Sequence, residues 1–249
     1  MYNAIVLAGG VSKELSADHV QTYEAFIDIG GKPMLYFVLN ALLKSEKISK
    51  ILVSGPMEIM AKIDLPEKVK LVQSGETILD TVVNGITALE SLKKTLIVTV
   101  DVPFITAAAI DDFLMQCEAE EGDFYYPIIE KSISEAKFPQ GKRTYVKLND
   151  GTFTGGNIFL VKPEIIPDCM RIAKQIIANR KKPWRLASLL GWITLLKFVF
   201  GYLSVEALKE RFSKILAMQG VVIISSYPEI GMDVDKLNDV ILAKQYLDK

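Results

Sequence analysis

The chain has 249 residues, half of them hydrophobic, and a formal net charge of −1. That length suits one large α/β domain or a domain carrying an insertion, with enough apolar material for a sizeable core. The near-zero charge excludes a global field favouring nucleic acid or an anionic membrane surface.

In chain order, Ile5-Val6-Leu7-Ala8 is a short continuous apolar run, the pattern of a buried parallel strand. It runs into Gly9-Gly10, and Lys32-Pro33 follows after a polar stretch. Paired glycines at a strand end let backbone N–H groups approach a phosphate closely, and a nearby lysine offers a cation for phosphate oxygens. No third glycine completes a dinucleotide fingerprint, and no Gly-Lys-Ser/Thr closes a P-loop.

Residues 33–43 read as helix, 50–55 as a second strand and 70–72 as a third, with a helix at 77–92. A fourth strand, 96–100, stops at Asp101-Val102-Pro103. Alternating β and α units imply a parallel sheet with helices on both faces. Gly9-Gly10, Gly55, Gly75 and Asp101 then share its carboxyl edge, where such sheets bind ligands. Beyond Asp123, residues 124–127 and 144–148 read as strands of a mixed edge. Gly155–Val161 reads as one buried strand entered through two glycines, 164–218 as mostly helical, 221–225 as a last strand, 228–239 as a polar loop, and the remainder as a short helix.

Asp101 stands where a carboxylate can hold Mg²⁺ bridging phosphates, a role that takes one or two protein carboxylates; its structural alternative is a helix N-cap. Asp233 and Asp235 flank Val234, so in an extended segment both point the same way. Asp239 fits the start of the following helix. His19, the single histidine, reads as a surface residue of the polar loop. Cys117 and Cys169 lack any Cys or His at metal spacing and read as reduced thiols. The opening strand lacks the features of a secretory leader, so the expected location is cytoplasmic. Residues 184–202 are very apolar, but Arg185 and Lys197 interrupt them, which argues against a transmembrane span. A helical insert at about 171–218 within a single domain (1–249) is expected to form an interaction surface, for a homodimer or beside a lipid-linked acceptor, making the protein membrane-proximal.

Taken together, Leu7-Ala8-Gly9-Gly10, Gly31-Lys32-Pro33-Met34-Leu35, Val100-Asp101-Val102-Pro103, Gly155-Gly156-Asn157 and Asp233-Val234-Asp235 run in the order of a known family. The chain resembles nucleotidyltransferases of GT-A-like fold, specifically the molybdenum-cofactor guanylyltransferase-like group. That resemblance implies a Rossmann-like mixed, mainly parallel sheet with helices on both faces and a Mg²⁺-dependent transfer of a nucleoside monophosphate from a triphosphate to a small phosphorylated or lipid-linked acceptor. Carried over residue by residue, Leu7, Ala8, Gly9, Gly10, Lys13 and Lys32 bind the triphosphate. Gly75, Asp80 and Thr81 contact the base, Gly156 and Asn157 the acceptor, and Asp101, Asp233 and Asp235 the metal, with Lys32 and Asp101 catalytic. The family's usual basic residue after the glycines is matched here only by Lys13. A glycosyltransferase of the same fold and a non-catalytic nucleotide-binding protein are the competing readings.

Overall fold

A computed structural model describes residues 1–12, 22–60, 65–167, 169–170, 172, 174 and 202–247. The expected positions Lys13 and His19, and most of the apolar stretch 184–202, lie outside them.

After strand β1 (Tyr2–Leu7) come the short strands β2 (Val11–Ser12), β3 (Thr22–Tyr23), β4 (Asp28–Ile29) and β5 (Lys32–Pro33). Strand β1 is flanked on both edges by parallel partners, β6 (Ile48–Gly55) and β8 (Thr95–Thr99), and β7 (Val69–Gln73), which follows the short helix α2 (Met57–Met60), continues the parallel part beyond β6. Both faces of these strands are covered, so their sequences are continuous apolar runs rather than alternations. Helices α1 (Met34–Lys44) and α4 (Ala107–Glu118) pack Leu35, Val38, Leu42, Ile110 and Phe113 against Val6, Val53 and Val98. Helix α3 (Ile78–Leu89) packs Val82 and Leu89 against Ile5, Leu52 and Ile97 on the opposite face. A Cβ on Gly85 of α3 would lie 2.9 Å from the Ile5 side chain, so that glycine permits the close approach of helix and sheet.

The second half of the sheet is mixed. Strand β12 (Ile158–Val161) runs antiparallel to β8 and joins it to β9 (Phe124–Glu130). The start of β9 pairs with β12 and its end with β11 (Gly151–Gly155), while β13 (Gly220–Ser225) runs parallel along its other edge. Strand β10 (Val146–Leu148) closes the far side against β11.

Two expectations need correction. Residues 155–161 are not one strand: the ladder breaks at Gly156-Asn157, where Gly156 N–H donates to Pro127 O and Asn157 N–H to Ile230 O. Nor is 228–239 a polar loop throughout. It opens with a 3-10 turn (Pro228–Gly231) in which Glu229 and Ile230 are buried, and Met232 and Val234 are core residues. Apolar side chains alternating with acids made this segment look solvated, yet over 232–235 an extended path buries Met232 and Val234 and leaves Asp233 and Asp235 on the other side.

Candidate active site

Asp101 follows the end of β8. Val100 N–H donates to Leu7 O, holding the segment beside the end of β1. Asp101 O in turn accepts from Val234 N–H at 2.8 Å, which lays the late segment alongside. Val234 turns into the core, so Asp233 and Asp235 face the other way, toward Asp101. One carboxylate oxygen of each of the three lies within 4.8 Å of the others. The N-cap alternative for Asp101 fails, because Thr106 caps α4. Asp239 does serve the last helix, α7 (Leu237–Leu247), accepting from Lys236 N–H at 2.9 Å.

Burial pushes the Asp101 carboxyl up to about 7, opposed by the Thr99 hydroxyl that donates to it and reinforced by Asp233, Glu24 and Asp235. Burial raises Glu24 as well, with Asp235 adding to it, and burial followed by the Asp233 charge raises Asp235. These carboxylates therefore crowd one another beyond what local charge compensates. Arg143 forms an ion pair with Asp233 and donates through Nη2 to Gly155 O at 3.2 Å. Its Nε, and Nδ2 of Asn157, are buried without an acceptor among the described residues.

The glycine edge lies close by. Ala8 N–H donates to Ser54 O and Ser74 N–H to Gly55 O, so the ends of β1, β6 and β7 converge there. A Cβ on Gly9 would lie 2.9 Å from Ser74 Cβ, and one on Gly10 would collide with the Glu24 carboxylate. Among the described residues neither glycine's N–H donates to a backbone acceptor. Lys32 sits on a two-strand hairpin, Asp28–Ile29 against Lys32–Pro33, turned by Gly30 and Gly31 at φ of 61° and 80°. Its ammonium is 4.7 Å from the Tyr36 ring centroid, and no carboxylate among the described residues pairs with it.

Gly75, Asp80 and Thr81 gather at the N-terminus of α3. Thr77 Oγ1 accepts from Asp80 N–H and donates to Asp80 Oδ2 at 2.6 Å; Thr81 Oγ1 accepts from Gly75 N–H at 3.0 Å. The Thr77 hydroxyl, together with Lys174, holds the Asp80 carboxyl below its usual range. The structure thus brings Asp101, Asp233 and Asp235 together, puts Asn157 in one cavity wall with Asp233 and Asp235, and packs Gly156 against Pro127 and Ile230. Among the described residues, no hydrogen bond or ion pair joins Lys32 or the α3 group to the trio.

Sequence reasoning missed Glu24, Thr99, Tyr126 and Arg143. The basic pair Lys142-Arg143 ahead of a strand and the acidic tone of the early loop were the available signals. Tyr126, Arg143, Asn157, Asp233 and Asp235 line one open cavity of about 990 Å³.

A structure of a hypothetical transferase from Thermus thermophilus is similar to the chain at 33% identity and a TM-score of 0.82, over 96% of this chain and 99% of that one. The fold is shared with CMP:2-keto-3-deoxy-manno-octonic acid synthetase complexed with CTP, at 12% identity and a TM-score of 0.63, covering 99% of this chain and 98% of that one. A 2-C-methyl-D-erythritol 4-phosphate cytidylyltransferase of Clostridium kluyveri is 24% identical over 163 residues, 55% of this chain and 69% of the relative. The family model described as the MobA-like NTP transferase domain matches residues 4–179, and the chain belongs to that nucleotidyltransferase family.

Proposed function

We propose that the protein transfers a nucleoside monophosphate from a nucleoside triphosphate, CTP or GTP, to a phosphorylated acceptor and releases pyrophosphate, with Mg²⁺ held by Asp101, Asp233 and Asp235. The observation that carries this reading is the carboxylate trio within 4.8 Å at the edge where the paired glycines end. The donor set fits a hard divalent cation: oxygen ligands only, close together, with Asp101 raised by burial and like charge. When bound, Mg²⁺ neutralises charge developing on the phosphate oxygens.

The chain's own groups do the rest. The N–H groups of Gly9 and Gly10 cradle phosphates, and Lys32 reaches them from its glycine-turned hairpin. Gly75, Asp80 and Thr81 meet the base from the capped end of α3. Asn157, with Gly156, positions the acceptor, whose phosphate oxygen attacks the α-phosphorus. The bond from that phosphorus to the bridging oxygen breaks and pyrophosphate leaves. A phosphate dianion needs no general base to attack, so positioning and charge neutralisation carry the catalysis.

Pyrophosphate release with each of four triphosphates and a panel of phosphorylated acceptors tests the reading. Asp101→Asn is expected to retain the fold by circular dichroism and lose Mg²⁺-dependent turnover. Full activity in that variant overturns the assignment.

A further inference from the structure

Beside the polar cavity lies a second one of about 500 Å³, within the range of small-molecule sites, about 300–1,000 Å³. Among the described residues its walls are mostly apolar, including Ile128, Leu148, Phe153, Leu208, Phe212 and Val222. Helix α6 (Val205–Leu216) forms one side and the sheet the other. The two cavities adjoin: Tyr126, Thr154 and Gly155 line both. Gly155 matters here, because a Cβ at that position would collide with the Tyr126 hydroxyl. Tyr126 therefore presents its ring to the apolar side, stacked near Phe124 at 6.5 Å, and its hydroxyl toward Gly155.

On the polar side, Arg143 Nε and Asn157 Nδ2 are buried donors with no acceptor among the described residues. A buried donor left unmade is costly, and a phosphate oxygen satisfies guanidinium and amide donors alike. Charge-seeking donors in one cavity and an apolar chamber adjoining it match a ligand with a phosphate head and a hydrocarbon tail.

From this juxtaposition we infer that the acceptor is a single-chain lipid monophosphate, its phosphate at Arg143 and Asn157 and its tail in the chamber under α6. The inference rests on the nucleotidyl-transfer reading for its chemistry. An oxygen of the lipid phosphate bonds to the α-phosphorus, pyrophosphate departs with the bridging oxygen and its electron pair, and the product is a lipid-linked nucleoside diphosphate.

The test is calorimetry of the whole protein, without triphosphate, against inorganic phosphate and butyl, hexyl and octyl monophosphate below their micelle concentrations. Affinity is expected to tighten about fourfold per added methylene, the gain for burying one CH₂. Leu208→Asn, or the milder Val222→Thr if the first lowers the thermal transition, should flatten that dependence while leaving affinity for inorganic phosphate unchanged. Arg143→Gln should weaken inorganic phosphate and octyl phosphate alike, about tenfold or more, the loss of one charge-assisted contact. Equal affinity for inorganic and octyl phosphate overturns the inference, as does a chain-length dependence that survives in both chamber variants. These titrations need no turnover, so they separate from the transfer reading: pyrophosphate release that is indifferent to the acceptor's alkyl chain would keep the transfer and sink the lipid acceptor.

Discussion

At the scale of single residues, the site is defined by an excess of carboxylate over cation. Asp101 is raised to about 7 by burial, with neighbouring carboxylates adding to it, against an ordinary value near 4. Between those two values the folded protein holds a proton that the unfolded chain releases. The folded state then binds more protons, and stability falls as pH rises across that window, by at most about 1.4 kcal/mol per pH unit from this group. Urea unfolding of the protein without divalent cation should therefore show lower stability at pH 8 than at pH 5, and added Mg²⁺ should recover more at pH 8. A metal effect equal at both values would separate Asp101 from the cation. Lys32 invites a different measurement. Its ammonium is exposed over Tyr36 and tied to no described carboxylate. Removing a charge-assisted contact to phosphate should weaken triphosphate binding about tenfold or more in Lys32→Ala. Unchanged affinity by calorimetry would leave Lys32 with only its place in the hairpin.

At the scale of elements, the start of α3 shows how the carboxyl edge of the sheet is kept in shape. Thr77 caps the helix, Asp80 answers it, and Thr81 ties Gly75 to the same turn. Thr77→Ala should cost about 1 kcal/mol in chemical denaturation, the usual loss for an N-cap; a neutral result would show that Asp80 and Thr81 hold the turn unaided. The same element was plain in the sequence because its apolar spacing and the Gly75 turn before it are local signals. So were the parallel strands, whose buried runs Ile5–Ala8 and Leu96–Val100 need no partner to be recognised. The break at Gly156-Asn157 was not visible. Two glycines look alike whether they start a strand or end one ladder and begin another, and only β9, β8 and the Ile230 carbonyl decide it. Arg143 and Glu24 escaped for the same reason: their roles come from Asp233 and Asp101, which the chain delivers from remote segments.

At the scale of the whole molecule, one buried charge anchors the late half of the site. Glu229 is 2% exposed; it accepts from Lys137 Nζ at 2.6 Å and from the Thr106 hydroxyl at 3.2 Å. This ties the turn before Asp233 to both α4 and α5 (Lys131–Lys137). Lys137→Met leaves that carboxylate with a hydroxyl alone and should destabilise the fold by about 1–3 kcal/mol, less than for a fully enclosed pair because Lys137 is half-exposed. Adding Glu229→Gln to that variant should restore part of the loss in urea titrations; two neutral single variants would show that the anchor is idle.

The meeting of Asp101 with Asp233 and Asp235 has a thermodynamic consequence. Its ligands come from segments that only the completed sheet brings side by side, so no partly folded species holds the full set. A cation that binds the native state alone shifts the unfolding equilibrium by mass action, by about 2.7 kcal/mol at a concentration one hundred times its dissociation constant. On the proposed reading, Mg²⁺ uptake would report global folding. A single proteolytic cut between the two halves of the donor set, followed by loss of the later fragment, should erase uptake even where the glycine edge and its helices survive.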